Sequence, residues 1–152
     1  FFDAVNQLTI TPADTSAKNQ LINNAKSMTD YFNTLANNLR NVQADANNEV
    51  KDTVEHINTL AQNITALNKQ INQIEACYGD ANDLRDQRNA LVDELSKAVN
   101  ITVSETEIQN GLTSFQITIN GQSLVNDYSY RTLEVVARGE VRNTSDADDF
   151  MI

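Results

Sequence analysis

Apolar residues recur through the first half of the chain at Ala17, Leu21, Ala25, Met28, Phe32, Leu35, Leu39, Val42, Ala46, Val50, Val54, Ile57, Leu60, Ile64, Leu67, Ile71 and Ile74, mostly in alternating steps of three and four. Such spacing keeps one narrow stripe on one side of a helix, the seam used in long bundles and coiled coils. The run of consecutive steps of four from Val42 to Val54 shifts the stripe around the axis like a stutter, which predicts a bend or short break near Asn47-Asn48. Thr11-Pro12-Ala13-Asp14 supplies a start signal: a capping hydroxyl, a proline at the first helical position and a carboxylate near the amino-terminal dipole. Gly79, after Cys77-Tyr78, supplies the stop as a left-handed cap. A helix over about 12–76 would be on the order of 95 Å long at 1.5 Å per residue. No compact globule of 152 residues contains one.

A second helix fits about 81–99, with Leu84, Leu91, Leu95 and Ala98 as its buried stripe and Asp93 placed four before Lys97. The short Gly79-Asp80 connection turns it back antiparallel to the first. The packing core is then Leu60, Ile64, Leu67, Ile71 and Ile74 against Leu84, Leu91 and Leu95. After Asn100 the period changes from 3.6 to 2: Ile101 and Val103, then Phe115, Ile117 and Ile119, then Leu133, Val135 and Ala137 alternate with other residues. Asn110-Gly111 and Asn120-Gly121 lie between these runs and signal tight hairpins. The predicted fold is mainly α with a small antiparallel β part, an elongated helical hairpin followed by a β-meander. The domain reading is an elongated helical unit over 1–100, a meander over 101–137 bracing it, and 138–152 as a link into a further, outer domain. Asp146-Ala147-Asp148-Asp149 supplies the polar stretch of that link.

The polar surface is unusual. It draws on 21 Asn, 10 Gln and 14 Thr, so amide and hydroxyl groups, more than charge, are expected to carry contacts between subunits. Asn is a mediocre helix former, so a long helix here leans on packing. Eleven Lys plus Arg against 21 Asp plus Glu give a formal charge of −10. No basic surface exists to neutralise phosphates, so neither nucleic acid nor an anionic membrane is an expected partner.

Catalytic chemistry finds no constellation. One cysteine, Cys77, and one histidine, His56, lie roughly 30 Å apart on the proposed helix by rise, too far for a nucleophile and its base. Asp52, four residues before His56, makes a solvated ion pair the plain reading, and Cys77 reads as a small apolar packing residue. Asp80, Asp83 and Asp86 lack the calcium-loop pattern and read as carboxylates at a helix start. No catalytic, metal or cofactor-binding residue is assigned. Arg85, Asp86 and Arg88 stand as candidates either for a clamp between the two helices or for charged contacts at a subunit interface.

Several stretches together resemble one family, the hook-associated protein 1 (FlgK) family of the bacterial flagellum. Phe1-Phe2-Asp3-Ala4-Val5 is similar to the family's Phe-Phe-Asp-Ala-Leu opening, and Thr11-Pro12-Ala13-Asp14-Thr15-Ser16-Ala17 to its turn into the long helix. His56-Ile57-Asn58-Thr59-Leu60-Ala61, continuing through Ile64, Leu67-Asn68 and Ile71, resembles a further run. The most specific is Asn82-Asp83-Leu84-Arg85-Asp86-Gln87-Arg88-Asn89-Ala90-Leu91-Val92-Asp93-Glu94-Leu95, with Asn89 where the family commonly has Asp. Asn120-Gly121-Gln122-Ser123-Leu124-Val125 resembles the hairpin that comes next in the family.

The resemblance implies a non-enzymatic structural adaptor at the junction of hook and filament, without cofactors. It implies export unfolded through the flagellar type III channel and an extracellular location. The implied partners are the hook protein, the second junction protein and copies of itself in a ring, with an export chaperone for the full-length chain. Family members carry terminal helices, and the abrupt apolar ends of this sequence lead us to expect a trimmed, monomeric piece lacking both. Its stretch from Leu21 to Val54 would then need the missing carboxy-terminal helix, and otherwise be frayed or paired with another copy. The competing readings are another axial component, flagellin-like or the second junction protein, and a surface adhesion module.

Overall fold

The computed structural model describes residues 1–77, 79–109, 112–137 and 150–151. Three helices come first: α1 (Phe2–Ile10), α2 (Thr15–Glu75) and α3 (Asn82–Ala98). Strands β1 (Ile101–Gln109), β2 (Leu112–Ile119), β3 (Gln122–Asn126) and β4 (Ser129–Tyr130) form one antiparallel sheet in that order. A separate two-stranded pairing joins β5 (Val136–Ala137) to β6 (Phe150–Met151). The architecture is that expected from the sequence: mainly helical, with a small antiparallel meander after a helical hairpin.

The helix α1 has no counterpart in that expectation. It packs against α2, and Ala4 of α1 and Ala17 of α2 are both buried. Its presence moves the start signal. Thr11 closes α1, its N–H and hydroxyl both donating to the Gln7 carbonyl, so Pro12-Ala13 is a turn and not a first helical position. Asp14 caps α2, accepting the Ser16 N–H at 2.8 Å.

At 61 residues α2 is about 90 Å long, and it passes Asn47-Asn48 without the expected break. The stutter does not interrupt the hydrogen-bond ladder. Val54 and Ile57 are buried in the core, while Val42 is 65% exposed. The stop at Gly79 also differs from expectation, because its φ lies outside the left-handed region. Its N–H reaches back to the Ile74 carbonyl at 3.1 Å, and a Cβ there would meet Ile74 Cγ2 at 2.8 Å. Glycine is needed for close approach.

The chain then reverses: Arg85 meets Glu75, Arg88 meets Asn68, and Glu94 meets His56, so α3 runs antiparallel along α2. The core is built where helices and sheet meet. Ile57, Leu60, Ala61, Ile64 and Leu95 pack with Phe115, Ile117, Leu124 and Val125. Of the residues named for the helix seam, Leu60, Ile64, Ile71 and Leu95 are buried, and Leu67, Leu84 and Leu91 half-buried. Ile74 is 39% exposed, contrary to expectation, because it sits in the last turn of α2.

Asn120 and Gly121 make the β2–β3 turn with φ of 47° and 79°, the mirror-image geometry that suits a twisted hairpin. The Asn110-Gly111 turn and the Asp146–Asp149 stretch lie outside the described residues. Leu133 and Val135 are not in a strand, against the alternation read from the sequence. The chain after β4 is held instead by the Asn58 side chain of α2, which bonds to Leu133. Phe150–Met151, expected in the linking stretch, pairs with β5. Among the described residues no helix is long and apolar enough to cross a membrane.

Candidate functional site: the seam between long helix and sheet

From Ile57 to Ile71 each residue of the apolar stripe is followed by a small or amide-bearing one: Ile57-Asn58, Leu60-Ala61, Ile64-Thr65, Leu67-Asn68, Ile71-Asn72. A second stripe therefore lies beside the apolar one. Ala61, Thr65, Asn68 and Asn72 are buried and Asn58 half-buried. Thr65 satisfies its hydroxyl locally on the Ala61 carbonyl, while the three asparagines reach across to the β part.

Asn58 pairs with one residue's peptide groups on both sides: its Nδ2 donates to the Leu133 carbonyl at 2.9 Å, and the Leu133 N–H donates to its Oδ1 at 2.8 Å. Asn72 does the same more loosely at Thr113, donating at 3.2 Å and accepting at 3.4 Å, and also donates to Tyr128 Oη at 2.8 Å. Asn68 donates to the Asp127 carbonyl at 3.0 Å. Asp127, held at a φ of 50° between β3 and β4, accepts Ser114 Oγ and the Phe115 N–H, each at 2.8 Å. The amides thus act as substitute peptide groups, satisfying strand and loop backbone that the sheet leaves open.

Charge completes the seam. Arg88 is buried, its guanidinium 3.9 Å above the Phe115 ring. Its Nη2 donates to both oxygens of Glu105 at 2.9 and 3.0 Å, and its Nη1 to Asn68 Oδ1 at 3.2 Å. Its Nε is buried without a partner. Arg85 forks onto Glu75 at 2.8 and 2.9 Å and reaches Glu105 at 2.8 Å. One carboxylate on β1 and one on α2 are therefore tied together through two arginines of α3. The Glu75 hydrogen bond and charge hold the Arg85 guanidinium above its ordinary value against the opposing effect of burial. Burial pushes the Glu105 carboxyl up, but the hydrogen bonds and charges of Arg88 and Arg85 outweigh it and hold it below the usual range.

Of the three charged candidates, the structure brings Arg85 and Arg88 together in this clamp, and Asp86 is exposed outside it. Sequence reasoning missed Asn58, Asn68, Asn72, Glu75 and Glu105. For the asparagines the signal was the amide one step after each stripe position. Those three asparagines serve intramolecular contacts where a subunit surface was expected. His56 pairs at 3.2 Å with Glu94 of α3 instead of Asp52, both half-exposed, because a partner on another helix is invisible to local spacing. Cys77 is exposed, not packed. Among the described residues no cluster of three or more His, Cys, Asp or Glu is placed to hold a metal ion. The arrangement fixes elements to one another.

Comparison with known proteins agrees with this architecture. Residues 1–148 match the family described as flagellar hook-associated protein FlgK helical domain. The chain is 31% identical over 141 residues to flagellar hook-associated protein 1 of Bacillus subtilis, covering 92% of this chain and 27% of that protein. It is 34% identical over 138 residues to the protein of the same name from Salmonella typhimurium, covering 90% and 24%. The chain thus spans about a quarter of the length of these relatives. It also superposes on the structure of the flagellar hook junction protein FlgK from Burkholderia pseudomallei with a TM-score of 0.81 and 26% identity, over 98% of this chain and 25% of that one. The chain belongs to the FlgK family of flagellar hook-associated proteins, and its residues 1–148 correspond to the family's helical domain.

Proposed function

We propose that this chain is the helical part of a structural adaptor of the bacterial flagellum, which forms the junction between hook and filament by side-by-side assembly of elongated subunits. The observation that carries the reading is the family match over nearly the whole chain, joined to the likeness to a structure described as a hook junction protein. The physical design suits the task. A helix of 61 residues supplies axial stiffness, and the amide seam and arginine clamp fix the sheet to it so that load on one element reaches the other.

The role is structural and needs no cofactor. The partners are the hook protein, the second junction protein and further copies in a ring, with an export chaperone serving the full-length protein on its way out through the type III channel. Residues after the meander lead towards an outer domain. Deleting the parent gene tests the reading. Bare hooks with flagellin lost to the medium are the expected outcome. Normal filaments would refute the junction role and favour another axial component or an adhesion module.

A further inference from the structure

Two kinds of bond hold the rest of the fold to the second half of α2, and they respond differently to protons. The sheet and the chain after it are tied on by neutral amides, Asn58 to Leu133, Asn68 to Asp127 and Asn72 to Thr113. Helix α3 is tied on by charge, Arg85 to Glu75 and Glu105, and Arg88 to Glu105. We propose that α3 is a strap that opens as one unit in acid while the sheet stays seated on α2, with Glu105 as its latch.

The packing of α3 makes this division possible. Of its 17 residues only Arg88 and Leu95 are buried. Its start has no side-chain cap, so that end depends on the two arginines. Leu91, Val92 and Ala98 are partly buried against the core. With α3 withdrawn, Ile57, Leu60, Ala61 and Ile64 of α2 still cluster with Phe115, Ile117, Leu124 and Val125 of the sheet. None of the three asparagine ties passes through α3. Asn68 loses the bond from Arg88 and keeps its own donation to Asp127.

Protonation of Glu105 weakens the hold on both arginines. The charged groups facing it are Arg85 and Arg88 from α3 and, through Arg85, Glu75 from α2. Glu107 lies two residues along its own strand, and β2 and β3 carry no titratable side chain. Arg85 keeps Glu75. Arg88 keeps only Asn68 and the Phe115 ring, and becomes a buried cation without a counter-charge, which is strongly unfavourable. Opening returns that guanidinium to water. Against the opposing effect of burial, Arg88 and Arg85 hold the folded carboxyl below the usual range. The strap is therefore fully shut above the ordinary carboxyl range and loosens as pH falls through the lowered value. At the other end of α3, His56 pairs with Glu94 at 3.2 Å, both half-exposed, and pairs of that kind hold little. The remaining charges of α3, Asp83, Asp86, Asp93 and Lys97, are exposed.

Amide hydrogen exchange on the 152-residue chain provides the test, with each rate expressed as protection relative to an unstructured chain at the same pH. Between about pH 7 and about pH 3.5, protection over 88–98 is expected to fall about tenfold as a block, while 60–71 and 115–125 hold. Glu105→Gln at neutral pH should show the same lowered block, and acid should add little to it. Arg88→Met, which leaves no buried cation to strand, should flatten the acid response. Glu94→Gln, at the half-exposed pair, should leave 88–98 within about twofold of the parent. Loss of protection over all three stretches together would overturn the proposal, because α3 would then belong to one cooperative unit. Unchanged protection over 88–98 across the pH series would overturn it too. So would an α3 in Glu105→Gln as protected as the parent's at neutral pH, or an acid response in Arg88→Met as steep as the parent's, since another group would then be the latch.

Discussion

Replacing Arg88 by Met keeps the apolar stem in place and removes the guanidinium. The loss comprises a two-point contact to Glu105, a bond to Asn68 and the stacking on Phe115 at 3.9 Å. Charge-assisted bonds of this kind contribute about 1.5–3 kcal/mol, and a desolvated cation over a ring about 2 kcal/mol. Two effects reduce the sum. The Glu105 side chain is a third exposed and keeps Arg85 at 2.8 Å, so it is not stranded as a buried lone charge. The Arg88 Nε is buried without a partner, so removing the group also recovers desolvation. The net expectation is a loss of about 2–3 kcal/mol, read by urea unfolding followed by circular dichroism, with a melting temperature lower by roughly 5–10 °C. A double-mutant cycle with Glu105→Gln should return a coupling of about 1–2 kcal/mol. Stability of Arg88→Met equal to or above that of the parent would refute the reasoning, because desolvation would then outweigh everything the clamp gains.

The pH dependence of the clamp follows from the lowered Glu105 value. Because the folded carboxyl ionises more readily than the unfolded one, its contribution is complete above the unfolded range and disappears as pH falls through the folded value. The stability gap between the parent and Glu105→Gln should therefore narrow on acidification below about pH 5, measured by urea unfolding at stepped pH. Asn58→Ala leaves both the N–H and the carbonyl of Leu133 without their partner, and should cost about 2 kcal/mol with faster proteolysis in 131–135. Gly79→Ala forces a Cβ to within 2.8 Å of Ile74 Cγ2, and should cost about 1–2 kcal/mol by thermal melting.

The long helix, the second helix and the meander were legible because each rests on a local period: threes and fours up to Ile74 and from Leu84, then twos from Ile101. What escaped rests on contacts between distant residues. The α1 helix has no side-chain cap to announce it, and its place depends on packing against α2. Glu94 as the partner of His56, and Glu105 as the hub of two arginines, become visible only once α3 and β1 lie against α2. Arg85 and Arg88 could be singled out as charged residues on a helix start, but no spacing rule said which carboxylate each would meet. The asparagines were misread for a different reason. Composition counts an amide as surface, whereas Asn68 is 2% exposed because the open backbone around Asp127 needs a donor there.

The two halves of α2 share one apolar period and differ in the polar groups set beside it. In the first half those groups close on their own helix: Thr29 donates to the Ala25 carbonyl, and Arg40 to the Asn37 side chain. In the second half Thr53, Thr59 and Thr65 do the same, but Asn58, Asn68 and Asn72 reach 41 to 75 residues along the chain. Long-range amide bonds draw the sheet onto the helix, and the sheet then buries Ile57, Leu60 and Ile64. From Met28 to Val42 the same stripe is exposed. Amide hydrogen exchange should trace this division. Protection in a dilute sample should be high from Val54 onwards and fall over Leu21–Val50, where only helix propensity and fraying ends operate. If the stripe pairs with a second copy, protection over Leu21–Val50 should rise with concentration while that of the second half stays constant. Uniformly slow exchange over Leu21–Val50 in a proven monomer would refute the division, because the isolated arm of the helix would then be stable by itself.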